Sequence, residues 1–286
     1  MRYYKSSSRN GSHLLVENGN EAFDLTAADE RLDSFRTLAR CADISGTTID
    51  DLTRRYQNEA PAVDIAEPDL CVPAKPPEVW AAGVTYEISE EAREEESDSP
   101  DLYLDVYHND RPELFLKSTP SRTVGPSESV GVRGDSDWNV PEPELGVVLY
   151  NGAIVGYTVG NDVSSREIEG ENPLYLPQAK IYSRSCAIGP CIASTENVPD
   201  PHDLDVQMLI ERDGDTVYKE STSTSNMIHD CDELVAYLKR HNTLPELTVL
   251  LTGTSLVPED YTLSPNDEVT IEIESIGTLK NSVTIV

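Results

Sequence analysis

Hydrophobic and polar residues follow a mixed pattern up to residue 70. Residues 12–26, SHLLVENGNEAFDLT, place short apolar runs on both sides of Asn18-Gly19, a dipeptide typical of a β-hairpin turn. Residues 27–42 then carry four apolar side chains on one helical stripe: Leu32, Phe35, Leu38 and Ala39. A second short helix fits residues 47–60. The pattern predicts a small N-terminal α/β lobe over residues 1–70.

After a Pro-rich stretch, EPDLCVPAKPP, short apolar β runs separated by Gly, Pro and Asn dominate the chain. These runs are VWAAGVTY, ELFLKST, ELGVVLYNGAIVGYTVGND, DVQMLIERDGDTVYKEST, TVLLTGTSLV and DEVTIEIESIG. One helix interrupts them over residues 229–242, with Leu234, Tyr237 and Leu238 predicted on its core face. Such spacing is typical of a β roll or barrel. Residues 71–286 are therefore predicted to form one mainly β domain, which makes the whole chain a mixed α+β protein.

The net charge narrows the choice of partners. The 286 residues include 52 acidic and only 22 basic side chains, so the formal net charge is −30. Because such a surface repels phosphate groups, nucleic acid and anionic membranes are poor partners. The acidic residues are spread along the chain between long apolar strands, which argues against a disordered protein. This composition is typical of a solvated surface suited to high salt, as in a halophilic archaeon.

No targeting segment is predicted. The apolar runs are too short for a membrane helix, and the N-terminus, MRYYKSSSRNGSHLL, lacks the apolar core of a signal peptide. Five cysteines match no zinc spacing and are expected to be buried free thiols: Cys41, Cys71, Cys186, Cys191 and Cys231. We therefore expect a cytoplasmic protein.

Three carboxylates stand out from the acidic background. Glu142 and Glu144 lie two residues apart where the chain enters an apolar strand, so their side chains share a face. Such a pair is common on exposed strands, and most acidic residues of this chain are expected to be surface groups. Asp162, however, ends the next apolar strand. Three carboxylates at neighbouring strand ends suit Mg²⁺, which would also offset their mutual repulsion.

Two lysines and one turn are further candidates. Lys117 ends the apolar run PELFL, and Lys180 lies in the uncharged stretch LPQAK. Lysine is uncommon in this chain, and a desolvated lysine is a tunable base, although a surface position is the simpler reading of each. Gly253-Thr254 offers a backbone N–H and a hydroxyl that could hold a carboxylate. That last signal is weak by itself.

Together these residues resemble the fumarylacetoacetate hydrolase family over residues 79–286. The shared motifs are GVTY (83–86), ELFLK (113–117), EPEL (142–145), NDVSSR (161–166), Lys180 nine residues before Gly189-Pro190, TGT (252–254) and GTLKN (277–281). The resemblance implies a β-sandwich roll that binds Mg²⁺ or Mn²⁺ through Glu142, Glu144 and Asp162. It further implies substrate contacts by Lys117, Arg166, Ser165, Thr254 and Tyr86, and a homo-oligomer, either a dimer or a tetramer.

The chain departs from the family's C–C hydrolases at one point. Those enzymes carry a His three residues after the motif Tyr and a Glu three residues further on, which activate water. Ser89 and Ala92 occupy these positions here. A site with a metal and a lysine but no such His resembles the family's sugar-acid branch, which dehydrates 2-keto-3-deoxy-pentonates to 2-oxoglutarate semialdehyde. That resemblance implies a small 2-oxo sugar acid as substrate, with Lys180 or Glu113 taking the C3 proton.

Alternatives remain open at this point. Glu113 is equally well explained as a strand-start acid facing solvent. An acylpyruvate C–C hydrolase or an oxaloacetate decarboxylase would use the same scaffold and metal, since decarboxylation also begins from a chelated 2-oxo acid. A non-catalytic acidic partner protein would need no carboxylate cluster at all. Neither the configuration at C4 of the sugar acid nor the metal used in the cell is encoded in these motifs.

Overall fold

A computed structural model describes residues 1–8, 11–66, 69–86, 106–258 and 260–286. The strands are β1 (Arg2–Ser8), β2 (Gly11–Asn18), β3 (Glu21–Asp24), β4 (Leu70–Cys71), β5 (Glu78–Gly83), β6 (Glu113–Ser118), β7 (Thr123–Val124), β8 (Val130–Val132), β9 (Asn139–Val140), β10 (Pro143–Tyr150), β11 (Ala153–Asp162), β12 (Ser164–Ser165), β13 (Cys186–Ser194), β14 (Asp205–Arg212), β15 (Asp215–Ser223), β16 (Leu247–Leu251), β17 (Glu268–Ile273) and β18 (Gly277–Ile285). The helices are α1 (Leu25–Ala28), α2 (Phe35–Ser45), α3 (Ile49–Gln57), α4 (Arg166–Glu171), α5 (Leu176–Lys180) and α6 (Cys231–Lys239), with short 3₁₀ turns at Pro173–Tyr175 and Thr224–Asn226.

Two sheets organise the protein. The larger has the order β3-β2-β1-β13-β11-β10-β16-β5-β6, with β4 on β1 and β7 on β13. Most pairs are antiparallel, but β16 and β5 run parallel. The smaller sheet has the order β15-β14-β17-β18-β8, and β9 pairs separately with β12. The predicted mixed α+β, mainly β fold is therefore confirmed.

Strand β10 lies at the centre of the large sheet and is buried along its whole length. On one face Leu145, Val147 and Leu149 join a hydrophobic core shared with the small sheet and α6. On the other face Val148 joins a second core beneath α2 and α3. Burial of both faces explains why this segment reads as a nearly continuous apolar run instead of an alternating one. Glu144 lies on the same face as Val148, four residues away in the strand.

The N-terminal segment is continuous with the large sheet. The hairpin of β2 and β3 is confirmed, and β1 pairs with β13, so the first strand joins the sheet that carries the candidate site. The first long helix begins later than predicted, at Phe35, because Ser34 caps it by accepting a hydrogen bond from the Thr37 N–H. The second short helix is confirmed as α3. A division of the chain at residue 70 stays a prediction.

Helix α6 confirms the predicted helix near residue 235, with one difference in its core face. Leu234 and Leu238 are buried as expected, together with Val235, whereas Tyr237 is only half-buried. The Tyr237 ring instead stacks beneath the Arg240 guanidinium at 4.2 Å. In the described parts of the chain, no helix is long and apolar enough to cross a membrane.

Candidate metal and active site

Three buried carboxylates meet at the ends of β10 and β11. The strands are antiparallel with Pro143 opposite Asn161, so Asp162 lies across from Glu142, and the Asp162 N–H donates to the Glu142 carbonyl at 2.9 Å. One carboxylate oxygen from each of Glu142, Glu144 and Asp162 lies within 4.8 Å of the other two. We call these residues the carboxylate triad. Antiparallel register and the two-residue strand period bring the three together.

The carboxylate triad is electrostatically strained as three free anions. Burial, together with the negative charges of Asp162 and Glu142, raises the pKa of Glu144 well above its ordinary value. Burial also raises the pKa of Asp162, although Lys117 opposes this effect. Burial acts in the same direction on Glu142, but Lys180 and Arg166 outweigh it and lower the pKa of Glu142. The neighbouring cations therefore compensate Glu142 but leave the negative charge of Glu144 largely uncompensated.

A backbone N–H holds the third carboxylate in place. Gly253, just after β16, donates its N–H to Glu144 Oε2 at 2.5 Å. Its φ of +84° lies in the left-handed region, and a Cβ added there would come within 2.1 Å of Thr85 Oγ1. Only glycine fits such a position. The TGT motif thus contributes its glycine to the carboxylate triad, whereas the Thr254 hydroxyl accepts from the Leu256 N–H at 3.0 Å.

Lys180 lies at the end of α5 and faces three acids. Its Nζ donates to Glu142 Oε2 at 2.7 Å and lies 3.7 Å from Asp162 Oδ2 and 3.8 Å from Glu169 Oε2. Burial disfavours the charged amine, but the charges of Asp162, Glu142 and Glu169 outweigh it and raise the pKa of Lys180 well above its ordinary value. Lys180 is therefore a buried ammonium in this arrangement, and not a free base.

Lys117 is also fully buried, but it has a different environment. Its ammonium donates to the Val163 carbonyl at 2.9 Å and to the Lys180 carbonyl at 2.5 Å. It also forms an ion pair with Asp162. Since an ammonium has three protons, these three oxygens account for all of them. The geometry favours a role in fixing Asp162 and the end of α5 over a direct substrate contact.

Helix α4 supplies a third cation and a further acid. Ser165 caps this helix by accepting from the Ile168 N–H at 3.2 Å, and its hydroxyl donates to Ser136 Oγ. Its side chain therefore orders the helix. Arg166 Nη2 lies 3.4 Å from Glu142 Oε1, and Arg166 Nη1 lies 3.8 Å from Glu169 Oε2. We call residues 166–180, which carry Arg166, Glu169 and Lys180, the helical segment.

Glu113 and Tyr86 complete the cluster. The Glu113 carboxylate packs on Gly83, where an added Cβ would come within 2.0 Å of Glu113 Oε2. Burial raises the pKa of Glu113 to about 7, with the charge of Glu169 adding to the effect and Lys180 opposing it. Tyr86 is buried and forms an isolated antiparallel β-bridge with Met227. Burial, together with the charge of Glu144, raises the pKa of Tyr86. Glu113 is thus a carboxyl group that titrates near neutral pH close to the charged Lys180 ammonium.

The residues present fit a divalent metal ion. Carboxylate oxygens are the ligands that Mg²⁺ prefers, and the carboxylate triad supplies three of them in a buried place. Glu142 Oε1 is buried and has no hydrogen-bond partner within the described ranges. A bound cation would lower the raised pKa of Glu144, and Glu142 Oε1 would become one of its ligands.

Sequence reasoning missed Glu169, because nothing distinguishes it from the many acids of the chain. The only available signal was its position three residues after Arg166, one helical turn away. Ser89 and Ala92, which replace the hydrolytic His and Glu, lie outside the described residues.

Comparisons with known proteins identify a matching family and close relatives. The family described as Fumarylacetoacetate (FAA) hydrolase C-terminal matches residues 78–284. A probable 2-keto-3-deoxyxylonate dehydratase of Haloferax volcanii is 57% identical over 289 residues, which cover 100% of both chains. A 2-dehydro-3-deoxy-D-arabinonate dehydratase of Saccharolobus solfataricus is 44% identical over 230 residues, covering 78% of this chain and 77% of its own.

A solved structure gives the same result for the fold. A 2-keto-3-deoxy-D-arabinonate dehydratase complexed with magnesium and 2,5-dioxopentanoate superimposes with a TM-score of 0.82 at 34% identity. The match covers 100% of this chain and 99% of that one. The motifs, the fold and these matches lead to one assignment: the chain belongs to the fumarylacetoacetate hydrolase family.

Proposed function

We propose that this protein is a hydro-lyase that catalyses the Mg²⁺-dependent dehydration of 2-keto-3-deoxy-pentonate, derived from arabinonate or xylonate, to 2-oxoglutarate semialdehyde. One observation carries the proposal: a three-carboxylate cation site, a carboxyl group with a pKa of about 7 and a lysine ammonium share one cluster. Elimination of water from a 2-oxo acid needs these three functions. The names of the similar dehydratases support the same reaction.

The first step removes the C3 proton and the C4 hydroxyl. A bound divalent cation withdraws electrons from a chelated 2-oxo acid and makes its C3 proton acidic. Glu113 accepts that proton, because its pKa of about 7 leaves much of it ionised near neutral pH. The Lys180 ammonium donates a proton to the C4 hydroxyl as the C–O bond breaks, so water leaves and a C3–C4 double bond remains.

The second step forms the aldehyde. A proton leaves C5 for the Lys180 amine, which the first step left neutral, and one returns to C3, which gives an enol of the C5 aldehyde. Protonation of the enol at C4, with loss of its hydroxyl proton, then yields 2-oxoglutarate semialdehyde. Glu113, protonated by the first step, is the group in this cluster that can return the C3 proton.

Other residues bind and orient the substrate. The Arg166 guanidinium, next to Glu142, is placed to attract the substrate carboxylate, and Tyr86 and Thr254 border the cluster near Glu144 and Gly253. Lys117 and Ser165, predicted from the resemblance to touch substrate, act through the groups they hold. These roles are assigned from the contacts of each side chain.

The proposal includes the cellular environment of the enzyme and its oligomeric state. The excess of acidic residues supports a halophilic cytoplasm, and the family resemblance supports a homo-oligomer, a dimer or a tetramer. Exposed apolar side chains are available for association, since Leu174 is 85% exposed and Ile285 is 58% exposed.

The test is an activity assay of the purified protein in concentrated KCl with Mg²⁺. Both C4 epimers of 2-keto-3-deoxy-pentonate are supplied, and the product is coupled to an NAD(P)⁺-dependent semialdehyde dehydrogenase. Formation of NAD(P)H that is lost with EDTA supports the dehydratase. A protein that is inactive on both epimers but cleaves acylpyruvates or decarboxylates oxaloacetate would overturn it while retaining the metal site.

A further inference from the structure

Glu169 differs from the other two acids that surround Lys180. Glu142 and Asp162 belong to the carboxylate triad, whereas Glu169 lies on α4 and is not part of it. All three place an oxygen within 3.8 Å of Lys180 Nζ. Among the partners of this ammonium in the described residues, only Glu169 therefore keeps a free charge when the triad binds a cation.

The present arrangement makes Lys180 a competitor for the metal site. Its closest contact, 2.7 Å, is to Glu142 Oε2, so a cation bound through the unpartnered Oε1 would draw on the same carboxylate charge that stabilises the ammonium. A buried ammonium that loses its carboxylate partners is strongly destabilised, because it cannot return to water. Occupation of the carboxylate triad thus requires another anion for Lys180 within a short side-chain movement.

Glu169 meets this requirement. It is buried, its Oε2 is buried and has no hydrogen-bond partner within the described ranges, and it lies 3.8 Å from Lys180 Nζ. It lies at the same distance from Arg166 Nη1, the other cation next to Glu142. The Lys180 ammonium needs to move only about 1 Å towards Glu169 to come within hydrogen-bonding distance.

We propose that Glu169 is a positioning residue that receives the Lys180 ammonium when a divalent cation occupies the carboxylate triad. The transfer leaves Glu142 free as a ligand and keeps Lys180 charged beside the substrate. This inference rests on the metal site of the proposed function and adds to it a residue that no motif identified. It also explains why a buried carboxylate oxygen is left without a hydrogen bond in the cation-free arrangement.

The experiment is a calorimetric titration with Mn²⁺ at fixed, high KCl concentration. Glu169→Gln removes the charge and keeps the shape. Glu171→Gln is the matched control, because it removes one charge from an exposed residue on the same helix. Both substitutions at Glu169, to Gln and to Asp, are measured in the wild-type background, and Glu169→Gln is repeated with Lys180→Met.

The expected result is a coupling between Glu169 and Lys180. Glu169→Gln weakens Mn²⁺ binding by about tenfold, the range seen for residues in direct contact, and Glu169→Asp restores part of it. Glu171→Gln changes it by less than about twofold. In the Lys180→Met background, which binds Mn²⁺ more tightly because the competitor is gone, Glu169→Gln costs about threefold or less.

Two results would overturn the inference. One is an equal effect of Glu169→Gln in both backgrounds, which would mean that its charge acts on the metal directly. The other is an effect no larger than that of Glu171→Gln, which decides the matter even if Lys180→Met fails to fold. Absence of Mn²⁺ binding by the wild-type protein is a different failure, because it removes the metal site and the proposed function as well.

Discussion

The carboxylate triad and the helical segment face each other across one cluster, but they are built in different ways. Glu144 and Asp162 stand on two central strands, and Glu142 directly precedes the first of them, so strand register fixes all three. Arg166, Glu169 and Lys180 stand on short helices of six and five residues, too short to be stable alone. The difference separates carboxylates fixed by strand register from a segment of short helices that supplies their positive countercharge.

The comparison predicts opposite effects on metal binding, and the largest expected effect is on the triad. Glu144→Gln should abolish Mn²⁺ binding and lower activity by about a thousandfold or more, since one ligand and one charge are lost. Its neutral amide can still accept from the Gly253 N–H. Titration calorimetry and the coupled assay measure both quantities.

The same variant should not destabilise the metal-free fold. The pKa of Glu144 is raised in the folded state, so its contribution to stability is full below its ordinary pKa and is lost as pH rises through the raised value. At pH 8 in EDTA, Glu144→Gln should therefore melt at or above the wild-type temperature. A clearly lower melting temperature would show that the carboxylate stabilises the empty site, contrary to the strain described.

In the helical segment, Lys180→Met should also lower activity by about a thousandfold, through loss of the proton donor. Metal binding should become tighter instead of weaker, because the ammonium no longer occupies Glu142. The metal-free protein should be destabilised by about 3 kcal/mol, since three buried carboxylates lose their cation. If Mn²⁺ affinity instead falls in this variant, as in Glu144→Gln, the helical segment and the carboxylate triad do not have opposite effects on metal binding.

Glu113→Gln should lower kcat by about a hundredfold, the usual contribution of a general base, with little change in Mn²⁺ affinity. The wild-type rate should rise with pH as Glu113 ionises. Its pKa is about 7 in the cation-free protein, and a nearby cation lowers the pKa of a carboxyl group, so the rise is expected at or below pH 7. A pH profile of Glu113→Gln that keeps this limb assigns it to another group.

The smallest expected effect is that of Gly83→Ala. The added methyl would come within 2.0 Å of Glu113 Oε2, so the carboxylate must move while the backbone remains. We expect activity to fall by about tenfold, as for a misplaced catalytic group, with unchanged Mn²⁺ affinity and melting temperature. Full activity in this variant would show that the position of Glu113 tolerates displacement.

The carboxylate triad was largely predictable from the sequence, and the helical segment was not. Strands β10 and β11 carry long apolar runs bounded by turn residues, so their ends and the carboxylates there could be located. The role of Glu169 depends on the return of α4 over the sheet, which no local period encodes. Lys117 and Lys180 looked alike in sequence, but in the structure Lys117 donates to two backbone carbonyls, whereas Lys180 faces the Glu142 and Glu169 carboxylates.

The contacts of Lys117 determine which part of the chain can vary without moving the metal ligands. One buried ammonium holds the carbonyls at residues 163 and 180 together, so the mainly helical chain between them is fastened at both ends to Lys117 of β6. We expect insertions and substitutions between these two points to alter the reaction without moving the metal ligands. The residues between these two points would then be replaceable as one unit. The same metal ligands would accept different 2-oxo acids in different relatives, because a single lysine keeps both ends of the segment in place.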